Sequence, residues 1–343
     1  MRVSSSMIGR ESRERDASCW GASVWICFCC CCCEKLFAVS ISVKKFQFFL
    51  PDPVYFCQEW IIITHKMKKT NEKFGIEEKK MTGKFGITVL GSGSKGNAAV
   101  IHGPEGALLL DAGFSARELE RRMELREIEP DSIQGILITH EHSDHVRGCR
   151  TFADRHKIQV YMTAPTLMEA NRCHFLPERK TVINPGTAFE LGGITVEPFT
   201  LPHDAVDTLG YTFRAEEKKI GVATDLGHLN LLARQKLRGC ALLMLEANHE
   251  PDLLRNSARP IQLKRRILSR HGHLSNEDTL AALEELLTGD SAFLVLAHLS
   301  EECNNRDLLE DMAEQTLKKM GRTDIFLSIA DQNSPLETFW LEK

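Results

Sequence analysis

The chain has 343 residues, of which 43% are hydrophobic and 26% charged, and its formal net charge is −4. This composition excludes wholesale disorder, collagen-like repeats and a polytopic membrane protein. The length allows one large α/β domain or one domain plus a tail. The near-neutral charge excludes a globally basic nucleic-acid-binding protein, although a local basic patch remains compatible with it.

The first eighty residues differ in composition from the rest. Eight of the 12 cysteines lie within the first 57 residues, whereas 12 of the 13 histidines follow Met81. Residues 17–33 carry no charge, but acidic residues in the preceding flank and the lack of a cleavage site argue against a signal peptide. We therefore expect residues 1–80 to be a disordered extension or to precede a biological start at Met67 or Met81. A membrane-associated extension is the alternative.

Residues 81–343 alternate between strand and helix patterns and are expected to form one domain. Short apolar runs typical of strands occur at 87–90, 98–101, 107–110, 135–139, 159–161, 194–201, 209–213, 219–223, 241–245, 293–297 and 325–329. Helical patterns occur at 116–126, 145–156, 165–173, 230–238 and 308–320. Ser275 and Asp278 resemble a capping box ahead of one further helix. Strands come first and helices later, which favours packed sheets flanked by helices over a simple doubly wound sheet.

The glycines between the first two of these strands match the pattern of a dinucleotide-binding loop, from Gly91 to Gly96. That loop requires a helix directly after the glycines, so that the helix N-terminus faces the pyrophosphate. Residues 97–102 are instead rich in β-formers, and residues 103–106 predict a hairpin-like turn. We therefore expect no nucleotide cofactor. The glycines are assigned to a turn or to a close approach of the backbone to an active-site floor.

Four metal-binding side chains follow the predicted strand at 135–139, namely His140, His142, Asp144 and His145. Because successive side chains of an extended chain point to opposite sides, His140 and His142 can bind one ion together. A turn into a helix would direct Asp144 and His145 toward a second ion. A single histidine is usually a packed or surface residue, but this concentration at a strand end predicts a metal site.

The pattern His-x-His-x-Asp-His-x-x-Gly, from His140 to Gly148, resembles the signature of the metallo-β-lactamase superfamily. This resemblance implies an αββα four-layer sandwich, an α/β fold with the metals in a cleft between two β-sheets. It also implies a histidine, an aspartate and a histidine near later strand ends. His203, Asp225 and His298 match those positions.

By this resemblance, seven side chains would hold two divalent metal ions. The first ion would be bound by His140, His142 and His203, the second by Asp144, His145 and His298, and Asp225 would bridge them. Asp111 would orient a ligand without binding an ion. His273 rivals His298 because both lie in His-Leu-Ser contexts, and the strand in front of His298 favours His298. The nitrogen-rich ligand set favours zinc, with manganese as the alternative.

Such a site predicts hydrolysis. These motifs contain no cysteine, and they differ from the His-x-Glu-x-Asp pattern of flavodiiron oxygen reductases, so redox chemistry is disfavoured. Two Lewis-acidic ions about 3.5–4 Å apart lower the pKa of a bridging water and stabilise charge on the attacked centre. Asp144 is expected to orient or deprotonate the bridging hydroxide. The leaving group would take its proton from a metal-bound water or from His273.

A basic segment, residues 253–276, contains no acid and six arginine or lysine residues, at positions Arg255, Arg259, Lys264, Arg265, Arg266 and Arg270. A solvated helix face is the simplest interpretation of such a run. Beside a metal cleft that can cleave phosphodiesters, however, the run favours a surface for the nucleic-acid backbone.

Seven short motifs narrow the resemblance to the YycJ/WalJ (VicX) group of bacterial metal-dependent exonucleases, over essentially residues 84–343. These motifs lie at 90–97, 110–113, 139–145, 246–249, 264–269, 272–278 and 298–300. The resemblance implies a cytoplasmic 5′ to 3′ DNA exonuclease with a place in DNA repair and no stable membrane association. On this interpretation Lys264, Arg265 and Arg266 neutralise DNA phosphates. Further substrate contacts are expected from Ser275, Asn276, Asn248 and His249, although Ser275 also suits a helix cap.

Two other functions fit the same residues. A small-molecule thioesterase or lactonase would use the same metals, and the basic segment would then be incidental. A metal-stabilised regulatory or DNA-binding protein would bind duplex DNA without cleaving it.

Overall fold

A computed structural model of the chain describes residues 22–27, 38–43, 84–173, 175 and 177–341. Its contacts divide the chain into two units, Met1–Glu78 and Lys79–Lys343. In the first unit, β1 (Ala22–Cys27) and β2 (Ala38–Val43) pair as antiparallel strands. The expectation for residues 1–80 otherwise lies outside the described residues and stays a prediction.

The second unit contains two seven-stranded sheets. The strands of the first sheet are β3 (Phe85–Gly91), β4 (Ala98–Gly103), β5 (Gly106–Leu110), β6 (Ile133–Leu137), β7 (Gln159–Met162), β8 (Lys180–Val182) and β16 (Phe339–Leu341). They are ordered β16-β3-β4-β5-β6-β7-β8, with β16 beside β3. Every residue of β3 is buried, as expected for a strand that is covered on both faces.

The strands of the second sheet are β9 (Phe189–Leu191), β10 (Ile194–Leu201), β11 (Thr208–Ala215), β12 (Lys218–Ala223), β13 (Leu242–Glu246), β14 (Phe293–Ala297) and β15 (Phe326–Ile329). Neighbours in this sheet follow the reverse of chain order, from β15 to β9. The strands from β9 to β12 pair as antiparallel neighbours, and those from β12 to β15 pair in parallel.

Nine α-helices occur in the described part of the second unit. They are α1 (Ala116–Glu124), α2 (Ser143–Val146), α3 (Cys149–His156), α4 (Ala164–Arg172), α5 (Leu231–Leu237), α6 (Pro251–Asn256), α7 (Ile261–Ile267), α8 (Asn276–Leu286) and α9 (Arg306–Lys319). None of the helices in the described ranges has the length and apolar character needed to cross a membrane.

The core consists of three apolar layers. Side chains from both sheets meet in the central layer, which includes Ile87, Leu108, Tyr211 and Val295. A second layer lies between the first sheet and helices α1, α3 and α4, and a third lies between the second sheet and helices α5, α8 and α9. This arrangement is the predicted αββα sandwich, so the fold class is confirmed.

The parallel registers bring several strand ends to one edge of the sandwich. Ala223 lies opposite Leu245, and Glu246 lies opposite Ala297, so the residues that follow β12, β13 and β14 are neighbours. Three of the residues just beyond strand ends, Asp111, Asp225 and His298, have positive φ angles of 59°, 59° and 57°. Non-glycine residues in this region are strained, and such strain concentrates at functional sites.

The eleven predicted strands all correspond to observed ones, but three short strands of the second unit, β8, β9 and β16, were not predicted. The helix predicted at 145–156 is two helices, because Gly148 interrupts it at a point where its backbone packs against Phe114. Helix α6 overlaps the start of the basic segment, and α7 lies within it. Neither was among the predicted helices.

Candidate metal centre

The loop after β6 brings four side chains together because the chain turns directly from strand to helix. His140 follows the strand, and His142 is the N-cap of α2. Asp144 and His145 lie in the first turn of α2. The ring centroids of His140 and His145 are only 4.1 Å apart, so this short segment forms one side of the site.

Three histidines form the first predicted ligand set. One ligand atom from each of His140, His142 and His203 lies within 4.8 Å of those of the other two. His203 comes from the loop after β10, on the opposite sheet, and its ring lies 5.2 Å from those of both other histidines. The structure therefore brings together the set that the sequence assigned to the first ion.

The second predicted set is also assembled. Ligand atoms of Asp144, His145 and His298 lie within 4.8 Å of one another. His298 directly follows β14, and its Nε2 atom is 3.7 Å from Asp144 Oδ2. One carboxylate and two imidazoles from both sheets thus face a common point.

Asp225 lies between the two sets. It forms a potential ligand group with His140 from the first set and His145 from the second. Its Oδ2 atom is 3.3 Å from His145 Nε2, and its Oδ1 atom is 4.0 Å from His203 Nε2. This position suits the bridging role that the resemblance implied for Asp225.

The tautomers of the histidines are set by hydrogen bonds on their Nδ1 atoms. His140 Nδ1 donates to Thr139 Oγ1, His203 Nδ1 donates to the carbonyl of Gly272, and His298 Nδ1 donates to Glu246. In its neutral form each ring is then left with an Nε2 lone pair, the form in which imidazole binds metal ions.

The ligand atoms meet the requirements of a metal site. Within the described residues, ten buried side-chain nitrogen or oxygen atoms have no hydrogen-bond partner, and four of them belong to the predicted ligands: His140 Nε2, His203 Nε2, His298 Nε2 and Asp225 Oδ2. Buried polar atoms are seldom left without a partner, because the loss of solvation is costly. Their convergence within two ligand groups fits divalent cations as the missing partners.

Asp111 supports the site without joining either ligand set. Its Oδ2 atom accepts a hydrogen bond of 2.7 Å from His145 Nδ1. Its Oδ1 atom accepts one of 2.8 Å from the backbone N–H of Thr139. A carboxylate behind a histidine fixes the ring orientation and increases its basicity, as the sequence predicted for Asp111.

Glu246, at the end of β13, is a supporting residue that the sequence did not reveal. It is fully buried, and its Oε1 atom accepts hydrogen bonds from His273 Nδ1 (2.7 Å) and His298 Nδ1 (3.0 Å). Its Oε2 atom accepts a 2.8 Å bond from the backbone N–H of Leu226. The apolar run around Glu246 is that of a core strand, and a lone acid within such a run was the available signal.

His298 and its rival His273 occupy different positions at the site. His298 is buried beside Asp144 and His145, whereas the side chain of His273 is 22% exposed and its ring lies 5.1 Å from that of His203. Both rings share the carboxylate of Glu246. These positions favour His298 as the ligand, although His273 also forms a potential ligand group with Asp225, Glu246 and His298.

Charges within the cluster compensate one another. Burial alone would raise the pKa of Asp225, but the charges of His298 and His145 hold this pKa well below its usual range. Burial alone would lower the pKa of His298, but Asp225, Asp144 and Glu246 raise it to about 10. The buried carboxylates thus create a strong preference for positive charge at this point, which a divalent cation satisfies.

The comparisons with known proteins agree with this geometry. The model of the β-lactamase superfamily domain matches residues 107–298, just over half of the chain. This range begins in β5 and ends at the last predicted ligand. The chain belongs to the metallo-β-lactamase superfamily.

Two relatives and one solved structure illustrate this membership. The chain is 34% identical over 237 residues to the exodeoxyribonuclease YycJ of Bacillus anthracis, which covers 68% of this chain and 90% of the relative. It is 32% identical over 228 residues to the exodeoxyribonuclease WalJ of Streptococcus pneumoniae, with 65% and 85% covered. The fold matches that of the metallo-β-lactamase-fold protein YhfI of Bacillus subtilis with a TM-score of 0.57, at 13% identity, over 74% of this chain and 99% of the other. The predicted resemblance is confirmed, and the chain is a metal-dependent hydrolase.

In this metallo-β-lactamase-fold domain, a cleft of about 260 Å³ opens above the ligands. Besides ligands, its lining includes Ser94, Asp204, Asn248, Arg259, Arg266 and His273. Arg266 pairs with Asp204, the neighbour of the ligand His203. Arg259 donates to Glu302 at 2.9 Å. Asp204 was not predicted as a site residue, and Arg259 was named only as one of the residues of the basic segment.

The structure brings only part of the predicted substrate set to the cleft of this superfamily member. Arg266 and Asn248 line it, and Asn248 also donates a 2.8 Å bond to the carbonyl of His298. Arg265 is exposed on α7 outside the lining residues. The Nζ atom of Lys264 donates to the carbonyls of Arg255 and Ser257 at the end of α6.

The three remaining predicted substrate residues are buried and lie outside the cleft lining. Ser275 is the N-cap of α8, where its hydroxyl accepts a bond from the backbone N–H of Asp278. Asn276 donates to Asn304 Oδ1 at 2.9 Å. Burial lowers the pKa of His249 to about 4. These hydrogen bonds favour supporting roles for Ser275 and Asn276, whereas neither ring nitrogen of His249 has a hydrogen-bond partner among the described residues.

Proposed function

We propose that the chain is a dinuclear phosphodiesterase that degrades DNA as an exonuclease in the 5′ to 3′ direction. The observation that carries this proposal is the pair of adjoining ligand sets with Asp225 between them, at the floor of a cleft lined by two arginines. The exodeoxyribonuclease names of the relatives from Bacillus anthracis and Streptococcus pneumoniae support the choice of substrate.

The donor set supports zinc as the native metal, with manganese as the alternative. Besides the bridging Asp225, the proposed ligands are five imidazoles and one carboxylate, from His140, His142, His145, His203, His298 and Asp144. Nitrogen-rich sites of this kind suit zinc. Two bound divalent ions would polarise the scissile phosphate and lower the pKa of the attacking water.

Asp144 and His273 have complementary proposed roles. The pKa of Asp144 is held below its usual range, because His145 outweighs the effect of burial, so this carboxylate is ionised at neutral pH and suited to orient the attacking water. His273 lines the cleft and donates through Nδ1 to Glu246. When Nε2 also carries a proton, the ring is an imidazolium paired with Glu246, and it can give the Nε2 proton to the leaving oxygen and become neutral.

Arg259 and Arg266 supply the positive charge of the cleft. Both guanidinium groups are already paired with carboxylates, Glu302 and Asp204. A planar guanidinium retains further N–H donors after forming one ion pair, so both arginines can still bind phosphate oxygens. We propose that they hold the DNA backbone beside the metal ligands.

The test is digestion of duplex DNA that carries a label at the 5′ end in one sample and at the 3′ end in another. The full chain is compared with Asp144→Asn, with chelator-treated enzyme and with the matched surface variant Asp311→Asn on α9. We expect early release of the 5′ label as short products, loss of activity by about 100-fold or more in Asp144→Asn, and unchanged activity in Asp311→Asn.

Three outcomes would contradict the proposal in different ways. Equal activity of Asp144→Asn and wild type would remove the proposed role of the carboxylate. Early release of the 3′ label would reverse the direction. Hydrolysis of a lactone or thioester with no product from either duplex would favour the small-molecule alternative.

A further inference from the structure

The loop between β3 and β4, residues 92–97, supplies no proposed ligand, but it contacts residues that do. It contains the glycines that resemble a dinucleotide-binding pattern, but it leads into a strand. The backbone N–H of Asn97 donates a 2.7 Å bond to the carbonyl of Asp144, and the backbone N–H of Ser92 donates to Asp331. The loop is therefore fixed at both ends, and one end is fixed to a ligand.

The side chain of Asn97 touches two ligands of the second set. Its Nδ2 atom lies 3.2 Å from Asp144 Oδ2 and 3.1 Å from His145 Nε2. It also donates to the carbonyl of Gly93 at 3.0 Å. Since an amide nitrogen has two hydrogens, one serves Gly93 and the other serves the ligand pair. With His145 Nε2 bound to an ion, Asp144 Oδ2 is the remaining acceptor for that second hydrogen.

Ser92 connects this amide to the third ligand of the same set. Its hydroxyl donates to Asn97 Oδ1 at 3.0 Å and accepts a 3.0 Å bond from the backbone N–H of His298. Ser92 and Asn97 are both buried, at 2% and 6% exposure. A continuous chain of hydrogen bonds therefore joins His298, Ser92 and Asn97 to the ligands Asp144 and His145.

The first ligand set is held by different groups. His140 is bonded to Thr139, and His203 is bonded to the carbonyl of Gly272. Among the hydrogen bonds of the described residues, none joins Ser92 or Asn97 to the three histidines of the first set. Ser92 and Asn97 therefore support only the second set, whereas Thr139 contacts one histidine of each set.

We infer that Ser92 and Asn97 are positioning residues that set the affinity of the second metal ion without determining that of the first. This inference rests on the proposed dinuclear function. Its physical basis is that an N–H donor on one carboxylate oxygen fixes the rotation of Asp144, while the serine hydroxyl fixes the backbone that carries His298. Outer partners of this kind typically change metal affinity by about 10–100-fold when removed.

The test is a zinc titration of the full chain against a chromophoric chelator, combined with the zinc content after gel filtration. We expect two ions in the wild type. In Asn97→Ala one of the two ions, assigned to the second ligand set, should lose affinity by about 10–100-fold, while the other ion keeps its affinity. Ser92→Ala should show the same selective loss to a smaller extent. Asn305→Ala, which removes the side-chain cap of α9, is a control that lowers the melting temperature but retains both ions.

The possible failures are distinguishable. Two ions of unchanged affinity in both variants would overturn the positioning role alone, and so would an equal loss of both ions, which would indicate general destabilisation. A single ion in the wild type would overturn the dinuclear function and this inference with it. If Asn97→Ala does not fold, as judged by its circular dichroism, the result for Ser92→Ala decides.

Discussion

The metal-ligand cluster and the basic segment of residues 253–276 are neighbours, but their polar groups are used in different ways. In the cluster, the histidines use Nδ1 for bonds to the protein and direct Nε2 toward a shared point. In the basic segment, Lys264 caps the end of α6, and Arg266 is tied to Asp204. Residue types therefore predicted the cluster well, whereas a count of positive charges overestimates how many residues of the basic segment face the cleft.

The largest effect is expected at the centre of the cluster. Asp225→Asn removes the negative charge between the two ligand sets, where Asp225 faces His140 and His145. We expect DNA hydrolysis to fall by about 1,000-fold, which corresponds to ~4 kcal/mol of transition-state stabilisation, and zinc content to fall with it. Measurement of kcat/KM beside bound zinc checks this. Full activity with two bound ions would show that Asp225 is dispensable, and the metal-ligand cluster would then be no better predicted than the basic segment.

His273→Gln is expected to cost about 100-fold in kcat, within the usual range for a general acid. Because p-nitrophenolate leaves without taking a proton, a nucleotide p-nitrophenyl ester should be cleaved at nearly the wild-type rate by this variant. Comparison of kcat for the two substrates checks the assignment. Equal losses on both substrates would show that His273 positions the substrate or the metals and does not donate a proton.

Smaller effects are expected from the two arginines of the cleft. Arg259→Gln and Arg266→Gln should each weaken duplex binding and reduce the slope of log K against log salt by about 0.9. Binding isotherms of catalytically inactive Asp144→Asn at several salt concentrations provide the measurement. Lys318→Gln, at the far end of α9, is the matched control. Slopes that do not respond to either arginine would place the DNA path elsewhere.

The smallest effect on DNA is expected for Lys264→Met, although the sequence pattern assigned Lys264 to a phosphate. Its ammonium group donates to the carbonyls of Arg255 and Ser257 at 2.7 and 2.6 Å. We expect a loss of about 1 kcal/mol in the free energy of unfolding and an unchanged salt slope. Denaturant unfolding and the same binding isotherms test both parts. A reduced slope of log K against log salt would instead support the contact between Lys264 and a DNA phosphate that the sequence predicted.

Much of the fold could be predicted from the sequence because its central strands are long apolar runs that end in polar residues. The ligand positions were predictable for the same reason, since His140, Asp225 and His298 each follow such a run closely. The short strands β8, β9 and β16 have only three residues each. Segments of that length have too few residues to show a period, and they become strands only through pairing with the sheet.

The supporting residues could not be predicted in the same way. Asn97 and Ser92 resemble ordinary loop residues, and their roles depend on contacts with Asp144 and His298, 47 and 206 positions away. Glu246 contacts two histidines through a single carboxylate oxygen. Such long-range hydrogen bonds are set by the packing of the two sheets and leave no local periodicity in the sequence.

The left-handed backbone at Asp111, Asp225 and His298 has a consequence for engineering. Each non-glycine residue in that conformation costs of order 1 kcal/mol or more, which glycine would relieve. At Asp111 this relief would be offset, because glycine would leave the buried donors of His145 and Thr139 without their acceptor. At Asp225 and His298 glycine would remove proposed metal ligands, so directed evolution of this enzyme for heat resistance needs a simultaneous screen for turnover.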